Sequence, residues 1–145
     1  MKRALVLAAL TVVLGLGSLQ AASGPPVVVR LAPLDTNSNS FYFRGPVGLR
    51  YALAISNPAD ETVTLRRLDL RSEGGGAYIV RANSTPMKLQ VAPRSNATIA
   101  INAWGRSRGG EFRSDEPVVI VGRAYFDSPR GPFVKLFQET VMPNP

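Results

Sequence analysis

The chain predicts an all-β fold, a single antiparallel β-sandwich of about seven short strands behind a removable N-terminal segment. Three observations predict it. Beyond residue 24 the apolar residues recur with a period of two, Pro, Gly, Asn and Asp punctuate the chain at short intervals, and no stretch there has helical periodicity.

At the N-terminus, Lys2 and Arg3 precede an apolar run from Ala4 to Leu14, continued by Gly15, Leu16 and Gly17. A charged start, an apolar middle and the small residues of Ser18 to Gly24 form a secretory signal peptide, with cleavage expected near Ala21 to Ser23. The run is about 14 residues long, and a spanning helix needs about 20. No cysteine follows it to accept a lipid. Residues 1–23 are therefore assigned to the signal peptide and 24–145 to the sandwich, and the mature protein is expected in the periplasm or outside the cell, not spanning the membrane after cleavage.

In chain order, Val27 to Ala32 reads as a first strand. Leu49, Tyr51, Leu53 and Ile55 alternate with Arg50, Ala52, Ala54 and Ser56, which puts the large apolar side chains on one face. Asn57-Pro58-Ala59-Asp60 then turns the chain, because Pro fixes φ and Asn and Asp bond to nearby backbone. Val63 and Leu65 fall on the opposite parity to Leu68 and Leu70, so a β-bulge or a switch of sheet is expected at Arg66-Arg67. After Gly74-Gly75-Gly76, Tyr78 to Arg81 and Met87, Leu89, Val91 read as short strands, and Ala92 to Asn96 leads into Ala97, Ile99, Ile101 and Ala103. The apolar run Val118 to Phe126 predicts a central strand covered on both faces, joined by Ser128 to Pro132 in a hairpin with Phe133 to Met142.

The stretch from Leu49 to Ala103, with its strand ending in Asn57-Pro58, its Val63-Thr64-Leu65 return and its Leu89 to Pro93 lead into Ala97-Thr98-Ile99, resembles the immunoglobulin-like sandwiches of exported bacterial proteins. The likeness covers under half the chain and rests on turn chemistry. The Cys and Trp signature of antibody domains is missing, since the chain has no Cys and Trp104 falls at the end of an expected strand. Such sandwiches serve as adhesins, chaperones, spacers and accessory modules, so the resemblance implies a fold and leaves the role open.

Composition narrows the chemistry. The sequence contains no Cys and no His, which removes the usual zinc and copper sites, the Ser-His-Asp and Cys-His arrangements, and disulfides as a source of stability. No cofactor, no metal site and no catalytic residue is expected. The precursor has a formal net charge of +7. Without Lys2 and Arg3, 15 basic residues face 10 acidic ones, and 13 of the 15 are Arg, whose planar fork suits carboxylate and phosphate. A GC-rich genome gives the same bias.

Two features are candidate binding elements. The first is the segment Gly105-Arg106-Ser107-Arg108-Gly109-Gly110-Glu111-Phe112-Arg113 next to Trp104, read as a flexible loop that interleaves cations and aromatics, with Trp104, Arg106, Arg108, Phe112 and Arg113 as its contact residues. Glu111, Asp115 and Glu116 offset part of its charge. The second is Phe41-Tyr42-Phe43, where three consecutive aromatics in an extended segment cannot all face one core. Adjacent carboxylates at Asp60-Glu61 and Asp115-Glu116 sit in turns, where solvation is the ordinary outcome. The expectation is a non-catalytic exported module that binds or supports another envelope or secreted protein through a sheet edge or a loop face. The alternative is an acidic surface polymer held by Arg106, Arg108 and Arg113, and an exported chain does not meet intracellular nucleic acid.

Overall fold

The computed structural model describes residues 24–34, 41–110 and 114–143. Residues 1–23, which the sequence reading assigns to a signal peptide, lie outside that set, as do Phe112 and Arg113.

The described residues form eight strands: β1 (Val28–Pro33), β2 (Gly45–Asn57), β3 (Val63–Glu73), β4 (Tyr78–Val80), β5 (Asn83–Val91), β6 (Ser95–Ser107), β7 (Val118–Ser128) and β8 (Gly131–Val141). They form two four-stranded antiparallel sheets, β1-β2-β6-β4 and β5-β3-β7-β8. The sheets pack face to face as a β-sandwich. The core follows from alternation: β2 contributes Leu49, Tyr51, Leu53 and Ile55, each at most 5% exposed, and β7 contributes Val118, Ile120, Ala124 and Phe126 from the opposite sheet.

The parity conflict in β3 is resolved where the sequence requires it. The register of β3 shifts between Leu65 and Arg67 against both β5 and β7. Leu65 and Leu68 are consequently both buried, and Arg66 and Arg67 both face solvent.

The turns are tied to one another. The buried Asn57 side chain donates to the carbonyls of Glu61, Val91 and Ala92 at 2.8, 3.1 and 3.0 Å, and its oxygen accepts from the Ala59 amide at 3.2 Å. One side chain thus clamps the β2–β3 turn to the end of β5. The β7–β8 connection is the expected hairpin, with Ser128 opposite Gly131.

Two expectations are corrected. Strand β7 is central, but its outer face is only partly covered: Val119, Val121 and Tyr125 are half-buried and Arg123 is exposed. Among the described residues no third sheet or helix is present to cover that face. The second correction is the extent of β6, which runs through Gly105, Arg106 and Ser107, so Trp104 lies within a strand and the connecting segment begins at Arg108. Partners exist on both sides: Gly105 pairs with Val47 of β2 and with Val80 of β4. A β-carbon at Gly105 would stand 2.8 Å from Leu49 Cδ1 and 3.1 Å from the Ile79 carbonyl, so glycine here leaves room for the close approach of β4. Strand β2 likewise starts earlier than the sequence suggests and includes Pro46, which is tolerated because β1 reaches no further than Tyr51 and leaves that end of β2 with one neighbour.

The face assignment can be tested by denaturation. Leu53 is fully buried between Leu31 and Ile99, so Leu53→Ala should cost roughly 2–5 kcal/mol. Lys88 on the outer face of β5 is exposed, and Lys88→Ala should change stability by less than about 0.5 kcal/mol. A loss at Leu53 no larger than that at Lys88 would mean that Leu53 does not face the core.

Candidate functional site

The two features that the sequence keeps apart meet at one end of the sandwich, because β2 begins where β6 ends and Gly45 pairs with Ser107. Phe41 is the anchor. It is buried and stacks on Tyr78, with ring centroids 4.9 Å apart, and its carbonyl accepts a hydrogen bond from the buried Ser107 hydroxyl at 2.8 Å. The segment turns there instead of running extended, and the next two rings point away from the core. Tyr42 is 48% exposed and Phe43 is 75% exposed, and they meet edge to face at 5.8 Å.

The segment after β6 is laid against these residues. The Gly110 amide donates to the Tyr42 carbonyl at 3.1 Å, the Gly109 amide donates to Ser107 Oγ at 3.2 Å, and Arg44 Nε donates to the Arg108 carbonyl at 3.2 Å. Gly109 has φ of +67°, and a β-carbon there would stand 2.7 Å from the Arg44 amide nitrogen. Conformation and space both exclude a side chain at this position.

The result is a concavity of about 260 Å3 lined by Arg44, Arg106, Ser107 and Arg108. None of these three guanidinium groups has a carboxylate of the described residues at ion-pair distance. Beside it, on the outer face of β6, Trp104 is 73% exposed. It stands opposite Gly48 of β2, and its Cζ3 lies 3.9 Å from where a β-carbon at 48 would sit. The structure thus places Tyr42, Phe43, Trp104, Arg106 and Arg108 at one end, and puts Phe41 beneath them as support. Arg44 belongs to the same concavity. Sequence reasoning missed it, because only the β2–β6 register brings it opposite Arg108.

Among the described residues, the acidic pair Asp60-Glu61 is held in ion pairs. Asp60 pairs with Arg94, Glu61 pairs with Arg130 at 3.1 Å, and no group of acidic side chains there is disposed to hold a metal ion. No helix of the described residues is long and apolar enough to cross a membrane.

No protein-family model matches the chain, and no curated protein matches it in sequence. Among solved structures, the fold is similar to that of a protein from Archaeoglobus fulgidus, with a TM-score of 0.52 and 11% identity over 78% of this chain and 91% of that one. A putative ApaA protein from Bordetella pertussis gives 0.47 and 14% over 82% of this chain and 94% of that one, and a FixG-related protein from Vibrio parahaemolyticus gives 0.39 and 11% over 81% and 95%. At such identities the first match shows the sandwich fold alone, and the two lower scores carry no argument.

A second concavity, of about 670 Å3, lies on the outer face of the β5-β3-β7-β8 sheet, where all four strands line it and the other sheet contributes nothing. Its charged groups already have partners. Desolvation would raise the Asp69 carboxyl, but hydrogen bonds from Ser84 and Tyr125 and the charges of Arg67 and Arg123 outweigh it and hold the group below its ordinary range. Arg71 is paired with Glu73 at 3.2 Å.

Beneath the aromatic end, the hydroxyls of Tyr51 and Tyr78 share a buried hydrogen bond of 3.0 Å. Burial pushes Tyr51 far above the usual tyrosine value, and Tyr78 adds to the shift; burial also raises Tyr78, with its bond to Tyr51 acting in the opposite sense. Both remain neutral in the folded protein at a pH where an unfolded tyrosine ionises, about 10. Their contribution is fully present below about pH 10 and is lost as pH rises above it, because the unfolded chain then releases protons that the folded one keeps. Phenolate absorbance from Tyr51 and Tyr78 should therefore develop together with loss of the β circular dichroism signal; phenolate formation by both in a still-folded protein would contradict their burial. Tyr51→Phe should cost about 1–3 kcal/mol by leaving the Tyr78 hydroxyl unpaired. The double change to Phe should cost less than the sum of the two single changes.

Proposed function

We propose that this protein is a non-catalytic exported binding module that engages another envelope or secreted protein through the loop face at the Phe43–Trp104 end. The single observation that carries the reading is the convergence there of two largely exposed rings and three guanidinium groups without carboxylate partners among the described residues. Exposed aromatics and arginine are what protein-recognition surfaces concentrate. The absence of His and Cys from the sequence supports a binding role over a catalytic one. Kinship with immunoglobulin-like sandwiches of exported bacterial proteins is part of this reading. The order β1-β2-β6-β4 parallels A-B-E-D and β3-β7-β8 parallels C-F-G, with β5 added beside β3.

A loop face is favoured over a sheet edge. Val80 on the β4 edge has its amide and carbonyl engaged by Ser72 Oγ at 2.9 and 3.4 Å. The β5 edge carries Pro86 and Lys88, and β8 carries Lys135 and Glu139 on its inward parity, with Glu139 held by Arg30 of β1 at 3.3 Å. Proline, lysine and inward charge are the devices that discourage strand addition.

Site-specific photo-cross-linking in the producing cell tests the proposal. A photoreactive side chain at position 104 should yield a discrete protein adduct that the same group at position 88 does not. Adducts of equal yield from both positions, or a carbohydrate adduct at 104, would contradict it.

A further inference from the structure

Resting on that reading, we infer that the partner segment seated at this end is an acidic peptide, with carboxylates in the Arg44–Arg106–Arg108 concavity and an apolar group on the exposed ring of Trp104. Among the described residues, the concavity is lined by three arginines and one serine. Guanidinium forks match carboxylates in a bidentate way, and charge-assisted bonds of this kind are the stronger hydrogen bonds available to a surface.

The distribution of charge elsewhere decides between a short segment and a long polymer. Arg30, Arg66, Arg67, Arg71, Arg94 and Arg130 are each paired with a carboxylate of the fold. The three guanidinium groups of the concavity form a compact cluster at one end, while Lys88, Arg123 and Lys135 lie apart from it on the other sheet, Arg123 beside Asp69. A polyanion gains affinity by neutralising many charges along an extended cationic path, whereas a compact basic concavity next to a flat ring suits a few carboxylates followed by an apolar side chain. Trp104 adds the apolar half of the recognition, with its largely exposed ring close to Gly48 of β2.

The chain has a single Trp, so its fluorescence reports on this site and nowhere else. Titration of the intact mature protein at low salt with a short oligoglutamate should shift Trp104 emission saturably, and oligolysine should not. An Arg106→Ala/Arg108→Ala variant with an unchanged denaturation midpoint should bind oligoglutamate at least about tenfold more weakly, the loss expected for removing charge-assisted hydrogen bonds. A polyuronate that binds as tightly as oligoglutamate would overturn the peptide assignment in favour of an acidic polymer. A response that survives removal of the two arginines, or no saturable response at all, would overturn the acidic assignment. The cross-linking result stands apart from these outcomes: a discrete protein adduct at 104 without oligoglutamate binding would retain a protein partner and reject only its acidity.

Discussion

The contact on which the candidate site depends is the buried cluster of Phe41, Tyr78 and Tyr51. Phe41 stacks on Tyr78, Tyr78 shares a hydroxyl bond with Tyr51, and Tyr51 sits in the middle of the longest stretch of pairing in the sheet, opposite Ile101. A ring fixed in the core at position 41 forces the following residues outward. The Phe41 and Tyr42 carbonyls then accept from Ser107 Oγ and the Gly110 amide, and the Arg44 side chain donates to the Arg108 carbonyl, so these backbone groups are paired. The exposure of Tyr42 and Phe43 is thus a consequence of core packing, and so is the placement of Arg44 against the end of β6.

Charge gives the site its character through what happens elsewhere. Each surface ion pair of the fold contributes little to stability. Six arginines elsewhere are engaged in this way, whereas the three of the concavity have no carboxylate partner among the described residues. The larger concavity on the opposite sheet illustrates the contrast, for its Asp69 is engaged by Ser84 and Arg67 and its Arg71 by Glu73. Volume alone would have pointed to that face; unmet charge and exposed rings point to the other.

Much of the fold was legible in the sequence, because in a sandwich the side-chain period of two is imposed by burial on one face. The alternation in β2, the bulge at Arg66 and the hairpin at Ser128 to Gly131 follow from residues that are neighbours in sequence. The outer face of β7 was misread because an apolar run looks the same whether its second face is covered by a layer or merely flanked by long side chains. The end of β6 was misread for a related reason: Gly105, Arg106 and Ser107 have the composition of a loop, and they are a strand because β2 and β4 both pair with them.

The sequence by itself determined which residue types were available: two aromatic and arginine-rich segments, no imidazole and no thiol. It also determined that Phe41, Tyr42 and Phe43 could not share one environment. Tertiary structure decided which ring became the anchor, that the two segments form one surface, and that Arg44 belongs to it. The physical reason is register. Antiparallel pairing of β2 with β6 sets Gly45 against Ser107 across 62 positions of chain, and a pairing that distant is fixed by the packing of both sheets together, which no local pattern encodes.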